Sequence, residues 1–184
     1  MGRLSELDAV TLDAYGTLLE LDDPVRRLRD ALRERGVERS SADVERAFRA
    51  ENAHYAKHRL EARDGPALER LRAECARVFA DALSSDIDFT AAFVAALRFH
   101  PLPGVLEGLA LLRAHGVALA VVSNWDISLP DHLAGAGVWV DTVVTGAEAG
   151  VAKPDARPLL IALERLGVAP NRALHVGDSG QDER

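Results

Sequence analysis

Two stretches of this chain are apolar at successive positions rather than at alternate ones. They lie in AVTLDAY (Ala9–Tyr15) and VALAVVSNW (Val117–Trp125). Continuous Val- and Leu-rich runs of this length are the mark of strands covered on both faces, which is the situation of strands in a parallel sheet. VDTVVTG (Val140–Gly146) and ALHVGDS (Ala173–Ser179) are shorter versions of the same pattern. The intervening segments have helical spacing. GVLEGLALLRAHG sets Val105, Leu109 and Leu112 on one face, and PDARPLLIALERLG sets Leu159, Leu160, Leu163 and Leu166 on one face before Gly167 stops it. Strand alternating with helix predicts an α/β fold with a parallel sheet, right-handed crossovers and a site beyond the carboxyl ends of the strands.

The middle of the chain interrupts this alternation. From Asp23 to Arg98 there are 15 Lys and Arg against 14 Asp and Glu, whereas the flanking parts have 7 against 15, so the acidity belongs to the flanks. The middle has no strand pattern. Asp23-Pro24 reads as an N-cap and first helical position, with Val25, Leu28 and Leu32 recurring until Gly36. Ser40 with Asp43 resembles a capping box ahead of Val44, Ala47, Phe48 and Tyr55. Gly65-Pro66 restarts the chain for Leu68, Leu71, Cys75, Val78 and Phe79, and a fourth stripe of Phe89, Phe93 and Leu97 runs toward Pro101 and Pro103. The expected organisation is a core from 5–19 and 101–184 with an all-helical insert over 20–100. After the last strand only GQDER remains, without a covering helix, and the expectation is that the natural C-terminus is lost.

Composition narrows the classes. A chain of 184 residues with 48% hydrophobic positions can bury a core of its own. Its longest apolar stretch, VALAVV, is far short of the roughly 20 residues of a membrane span, and the N-terminus lacks the pattern of a signal peptide. A cytoplasmic location and no membrane partner are expected. The net charge of -7 argues against nucleic acid. Cys75 is the only cysteine, which excludes an intrachain disulfide. Oligomeric state is not legible.

Chemistry-bearing residues cluster at four places: Asp13 after the first strand, Ser123-Asn124 after the second, Lys153-Pro154 before the last long helix, and Asp178 with Asp182 after the last strand. In a parallel sheet these positions share one edge. Converging carboxylates need a cation, and an oxygen-only donor set suits Mg²⁺. Asp13 is then a candidate nucleophile toward phosphorus, Lys153 and Ser123 candidate holders of the transferred group, and Gly16 the residue that lets the chain turn close to it.

DAYGT, VVSN, AKP and VGDSGQD resemble, in order, the four motifs of the haloacid dehalogenase superfamily of hydrolases. The resemblance implies a Rossmann-like parallel sheet core with a helical cap inserted after the first motif, and specificity set by that cap. It implies Asp13 as nucleophile, substrate contacts from Gly16, Thr17, Ser123, Asn124 and Lys153, and Mg²⁺ held by Asp13, Asp178 and the carbonyl of Tyr15. Asp182 would join as a second-shell or water-mediated partner. Family phosphatases carry an Asp two residues after the nucleophile as acid and base, where this chain has Tyr15, and a phenol is a far weaker acid than a carboxyl. Tyrosine there resembles the 2-haloacid dehalogenase branch, in which Asp attacks carbon without a metal, whereas VGDSGQD resembles a phosphatase. The expectation is a Mg²⁺-dependent phosphatase acting on a small phosphorylated molecule. The alternatives are a dehalogenase-type hydrolase and a non-catalytic protein that binds phosphate or metal.

Other residues have plainer readings. His54 and His58, four apart, read as exposed helix residues, and His175 as a packed, hydrogen-bonded strand residue. The arginines of RRLRDALRERG read as a paired, solvated face. Trp125 reads equally well as a pocket wall or as an anchor for the next helix.

Overall fold

The computed structural model describes residues 7–180 and 182. It divides into two compact units, Met1–Glu20 with Phe99–Arg184, and Leu21–Arg98. In chain order the elements begin with β1 (Ala9–Leu12) and β2 (Leu19–Leu21). The helices α1 (Pro24–Arg33), α2 (Ser41–His58), α3 (Gly65–Ala82) and α4 (Thr90–Ala96) follow. Then come β3 (Phe99–Pro101), α5 (Val105–Ala114), β4 (Ala118–Ser123), α6 (Leu129–Gly135), β5 (Thr142–Thr145), α7 (Gly146–Ala149), α8 (Arg157–Leu166) and β6 (Ala173–Val176).

The first unit is built on a four-stranded sheet in the order β5-β4-β1-β6. All its pairings are parallel, as the unbroken apolar runs require. The register sets Val10 beside Leu119 and Leu174 on one face, and Thr11 beside Ala120 and His175 on the other. The second face is closed by α8. Ala162 packs with Ala120, Val122 and Val144, and Leu159, Ile161 and Leu166 pack at the margin. Leu160, expected on the buried face of α8, is instead 51% exposed. Helical rotation carries it away from the face set by Ala162 and Leu166.

The second unit is helical. Asp23 caps α1 by accepting from the Arg26 N–H, and Ser40 caps α2 by accepting from the Asp43 N–H while its hydroxyl donates back to Asp43. α3 starts from an Asp64 cap with Pro66 in its first turn. The core is made by Leu28, Leu32, Val44, Phe48, Leu71, Phe79 and Phe93. The rings of Phe79, Phe89 and Phe93 lie 5.3–6.4 Å apart between centroids. Burial of each large side chain is worth about 1.5–3 kcal/mol. Glu51 lies on the same buried stripe of α2, only 3% exposed, a position the apolar pattern did not single out.

Helices do not account for the whole of 20–100. α4 ends at Ala96 because Leu97 leaves helical geometry, and the chain then runs extended as β3 to pair with β2. Three-residue strands are too short to leave a periodic signal. No helix among the described residues is long and apolar enough to cross a membrane.

Candidate active site

The chain turns sharply at the carboxyl end of β1. The N–H groups of Thr17, Leu18 and Leu19 converge on the carbonyl of Ala14, at 3.3, 2.8 and 2.9 Å. Gly16 sits in this turn with φ +80°, a conformation that side-chain-bearing residues adopt only at a cost. A methyl group there would also run into the carboxylate of Asp178. The turn from β1 and the loop after β6 therefore approach each other only because position 16 lacks a side chain. Asp13 is tied to the same place from the backbone, its N–H donating to the Val176 carbonyl at 2.9 Å.

Lys153 is the hub. It is 3% exposed, and its Nζ lies 3.0 Å from Asp13 Oδ1 and 2.5 Å from Asp182 Oδ1. The contact with Asp13 has ion-pair distance without hydrogen-bond alignment, so the buried Asp13 Oδ1 has no aligned donor. The backbone of Lys153 is held by Asn124, whose amide nitrogen donates to the Lys153 carbonyl at 3.0 Å and whose oxygen accepts from the Lys153 N–H at 2.6 Å. Asn124, expected among the substrate contacts, thus uses both ends of its amide on the lysine loop.

Asp182 is held through both of its carboxylate oxygens. Its Oδ2 accepts from the N–H and hydroxyl of Ser179 at 3.1 and 2.7 Å, and its Oδ1 faces Lys153 and, at 3.0 Å, His175 Nε2. Burial pushes its pKa upward. The hydrogen bonds from Lys153, Ser179 and His175, with the charge of Lys153, overcome that and hold it well below the usual carboxylate range. These contacts favour its ionised form.

Oxygens of Asp13, Asp178 and Asp182 lie within 4.8 Å of one another. Three carboxylates this close, one with a buried oxygen lacking an aligned donor, form an oxygen-only donor set that fits a hard divalent cation. Ser123 ends β4, buried, and the buried Thr17 Oγ1 has no hydrogen-bond partner among the described residues. Tyr15 is 51% exposed.

The remaining sequence candidates separate from this centre. The rings of His54 and His58 lie tilted at 4.5 Å and face Glu74 and Glu61 within the helical unit. Trp125 packs against Phe99 and His132, at 5.1 and 5.7 Å. The arginines of α1 pair with Asp23, Asp30 and Glu38. His175, read as a packed strand residue, contacts the site, and spacing gave no sign of it because Thr11 and Lys153 reach it only through the fold.

Comparison with known proteins agrees with this geometry. The sequence matches the haloacid dehalogenase-like hydrolase family over residues 7–184. It is 37% identical to a phosphoserine phosphatase of Thermus thermophilus, over 94% of this chain and 81% of the relative. It is 46% identical to the mouse haloacid dehalogenase-like hydrolase domain-containing protein 3, over 41% of this chain and only 32% of that protein. An L-2-haloacid dehalogenase from Xanthobacter autotrophicus superposes with a TM-score of 0.68 at 26% identity, over 96% of this chain and 71% of the dehalogenase. With the motifs, the parallel sheet and the carboxylates gathered around one lysine, the chain belongs to the haloacid dehalogenase-like hydrolases.

Proposed function

We propose that this chain is a Mg²⁺-dependent phosphatase for small phosphorylated molecules, working through an aspartyl phosphate on Asp13. The observation that carries the reading is the gathering of Asp13, Asp178 and Asp182 within 4.8 Å of one another, two of them paired with the buried Lys153. Lys153 offsets the charges of Asp13 and Asp182, and the third carboxylate beside them, Asp178, is the excess charge that a divalent cation would balance. The 37% identity to a phosphoserine phosphatase, over 94% of this chain and 81% of that relative, supports the same class.

In this reading a carboxylate oxygen of Asp13 attacks phosphorus, forming a P–O bond as the bond to the leaving group breaks. Water then attacks the phosphorus of the aspartyl phosphate, releasing inorganic phosphate and returning the carboxylate of Asp13. Lys153, fixed beside Asp13, offsets the charge of the transferred group, and the Ser123 and Thr17 hydroxyls are donors for its oxygens. A cation held by Asp13, Asp178 and the Tyr15 carbonyl would supply charge neutralisation at the phosphate. Asp182, with both oxygens already engaged, serves to orient Lys153. Leaving groups that need no proton, such as those of acyl phosphates and activated esters, are favoured because Tyr15 stands where phosphatases carry an acid. Substrate selection is assigned to the helical unit.

The dehalogenase reading rests on Tyr15 and on the structural likeness to the Xanthobacter enzyme. One assay separates the two: p-nitrophenyl phosphate, acetyl phosphate and 2-chloropropionate, each with Mg²⁺ and with chelator. Phosphate release that chelator abolishes and Asp13→Asn removes is the expected result. Chloride release indifferent to chelator would replace the phosphatase reading with the dehalogenase one, and silence on all three would favour a binding protein.

A further inference from the structure

The loop after β6 carries Asp178 and Asp182, yet among the described hydrogen bonds the carboxylate of Asp182 is joined to the rest of the unit only through Lys153 and His175. Its contacts with Ser179 lie inside its own turn. His175 is therefore well placed to decide where Asp182 sits. The parallel register brings it beside Thr11 of β1. One side of its ring, Nδ1, lies 2.8 Å from Thr11 Oγ1 and 3.1 Å from the Thr11 carbonyl. The other side, Nε2, lies 3.0 Å from Asp182 Oδ1 and 3.5 Å from Lys153 Nζ. An ionised carboxylate only accepts hydrogen bonds, so the contact with Asp182 needs a proton on Nε2, while Nδ1 meets both the hydroxyl and the carbonyl of Thr11.

We propose that His175 is a positioning residue, a strut from the centre of the sheet to Asp182, which in turn holds Lys153 against Asp13. The proposal rests on the reading of Asp13 and Lys153 as the reaction centre. Without the strut, Asp182 is attached to the unit through Lys153 alone. Its turn is then free to shift, and the lysine follows the carboxylate to which it is closer, at 2.5 Å, rather than Asp13 at 3.0 Å. Outer partners of this kind change metal affinity or activity by about 10- to 100-fold when removed. Thr11, buried in β1, gives the strut a rigid base.

Three variants test it. Glutamine places its amide nitrogen near the position of Nε2 and keeps the bond to Asp182. Asparagine reaches only the Thr11 side, and leucine keeps neither. His175→Asn and His175→Leu are expected to lose about 10- to 100-fold in kcat on p-nitrophenyl phosphate with KM changed less than about threefold. Their Mg²⁺ affinity, measured by calorimetry, is expected to fall about tenfold, with His175→Gln near wild type in both measurements. Gln no better than Leu, or all three like wild type, would overturn the proposal. A readout independent of turnover and metal comes from NMR. A protected ring N–H of His175 should appear in wild type and vanish in Asp182→Ala, and its absence from wild type also overturns the strut. Failure of the phosphatase reading is separate: phosphate turnover that survives Asp13→Asn removes that reading, while the ring N–H still tests the strut.

Discussion

Replacing Glu51 by Gln gives the sharpest test of how the helical unit is stabilised. Glu51 is 3% exposed on the α2 face turned to α3. Burial pushes its pKa up from 4.5 to about 7, against a smaller opposing effect of its hydrogen bond with Cys75. That difference corresponds to about 3 kcal/mol by which the folded unit disfavours the ionised form. The folded pKa is raised, so the neutral carboxyl's contribution is complete below pH 4.5. It is lost progressively as pH rises through about 7. Gln is neutral throughout. The variant should therefore gain on wild type by about 2–3 kcal/mol between pH 5 and pH 8, seen as roughly 5–10 °C in Tm by circular dichroism. The histidines and remaining carboxylates titrate in both proteins and cancel from the difference. Cys75, buried on α3, gives a local check: at pH 8 its labelling through transient opening should slow roughly 30- to 100-fold in the variant. Parallel pH profiles for the two proteins would refute the argument, since they would mean that Glu51 reaches water or an unrecognised cation.

Three further outcomes follow from the site. Gly16→Ala should cost at least about 1 kcal/mol from its positive φ and weaken Mg²⁺ binding in calorimetry, because the new methyl displaces Asp178. Asn124→Ala strips two hydrogen bonds from the buried backbone of Lys153. It should lower stability by about 1–3 kcal/mol in urea titration and kcat by up to about 100-fold, with KM little changed. Tyr15→Asp restores a carboxyl two residues after Asp13 and should raise turnover of poor leaving groups more than of acetyl phosphate. Equal effects on both would show that protonation of the leaving group is not what Tyr15 lacks.

The sequence by itself determined the α/β class, the alternation of the longer strands and helices, and which polar residues end the apolar runs. Those features depend on local periodicity and on polar residues that end apolar runs, as at Asp13, Ser123 and Asp178. Leu160 escaped that logic because an i, i+3 neighbour of the buried Leu163 can still lie off the face, and β2 and β3 escaped it because they are too short to show a period. What only the tertiary structure decided is which partners those residues meet. Thr11 and His175 are 164 positions apart and share a level only through the register of β1 and β6. The amide of Asn124 meets the backbone of Lys153, and Glu51 became buried only when α2 and α3 packed. Spacing fixes which face of an element a residue occupies, but register and packing set the distances between elements, and at this site those distances determine the chemistry.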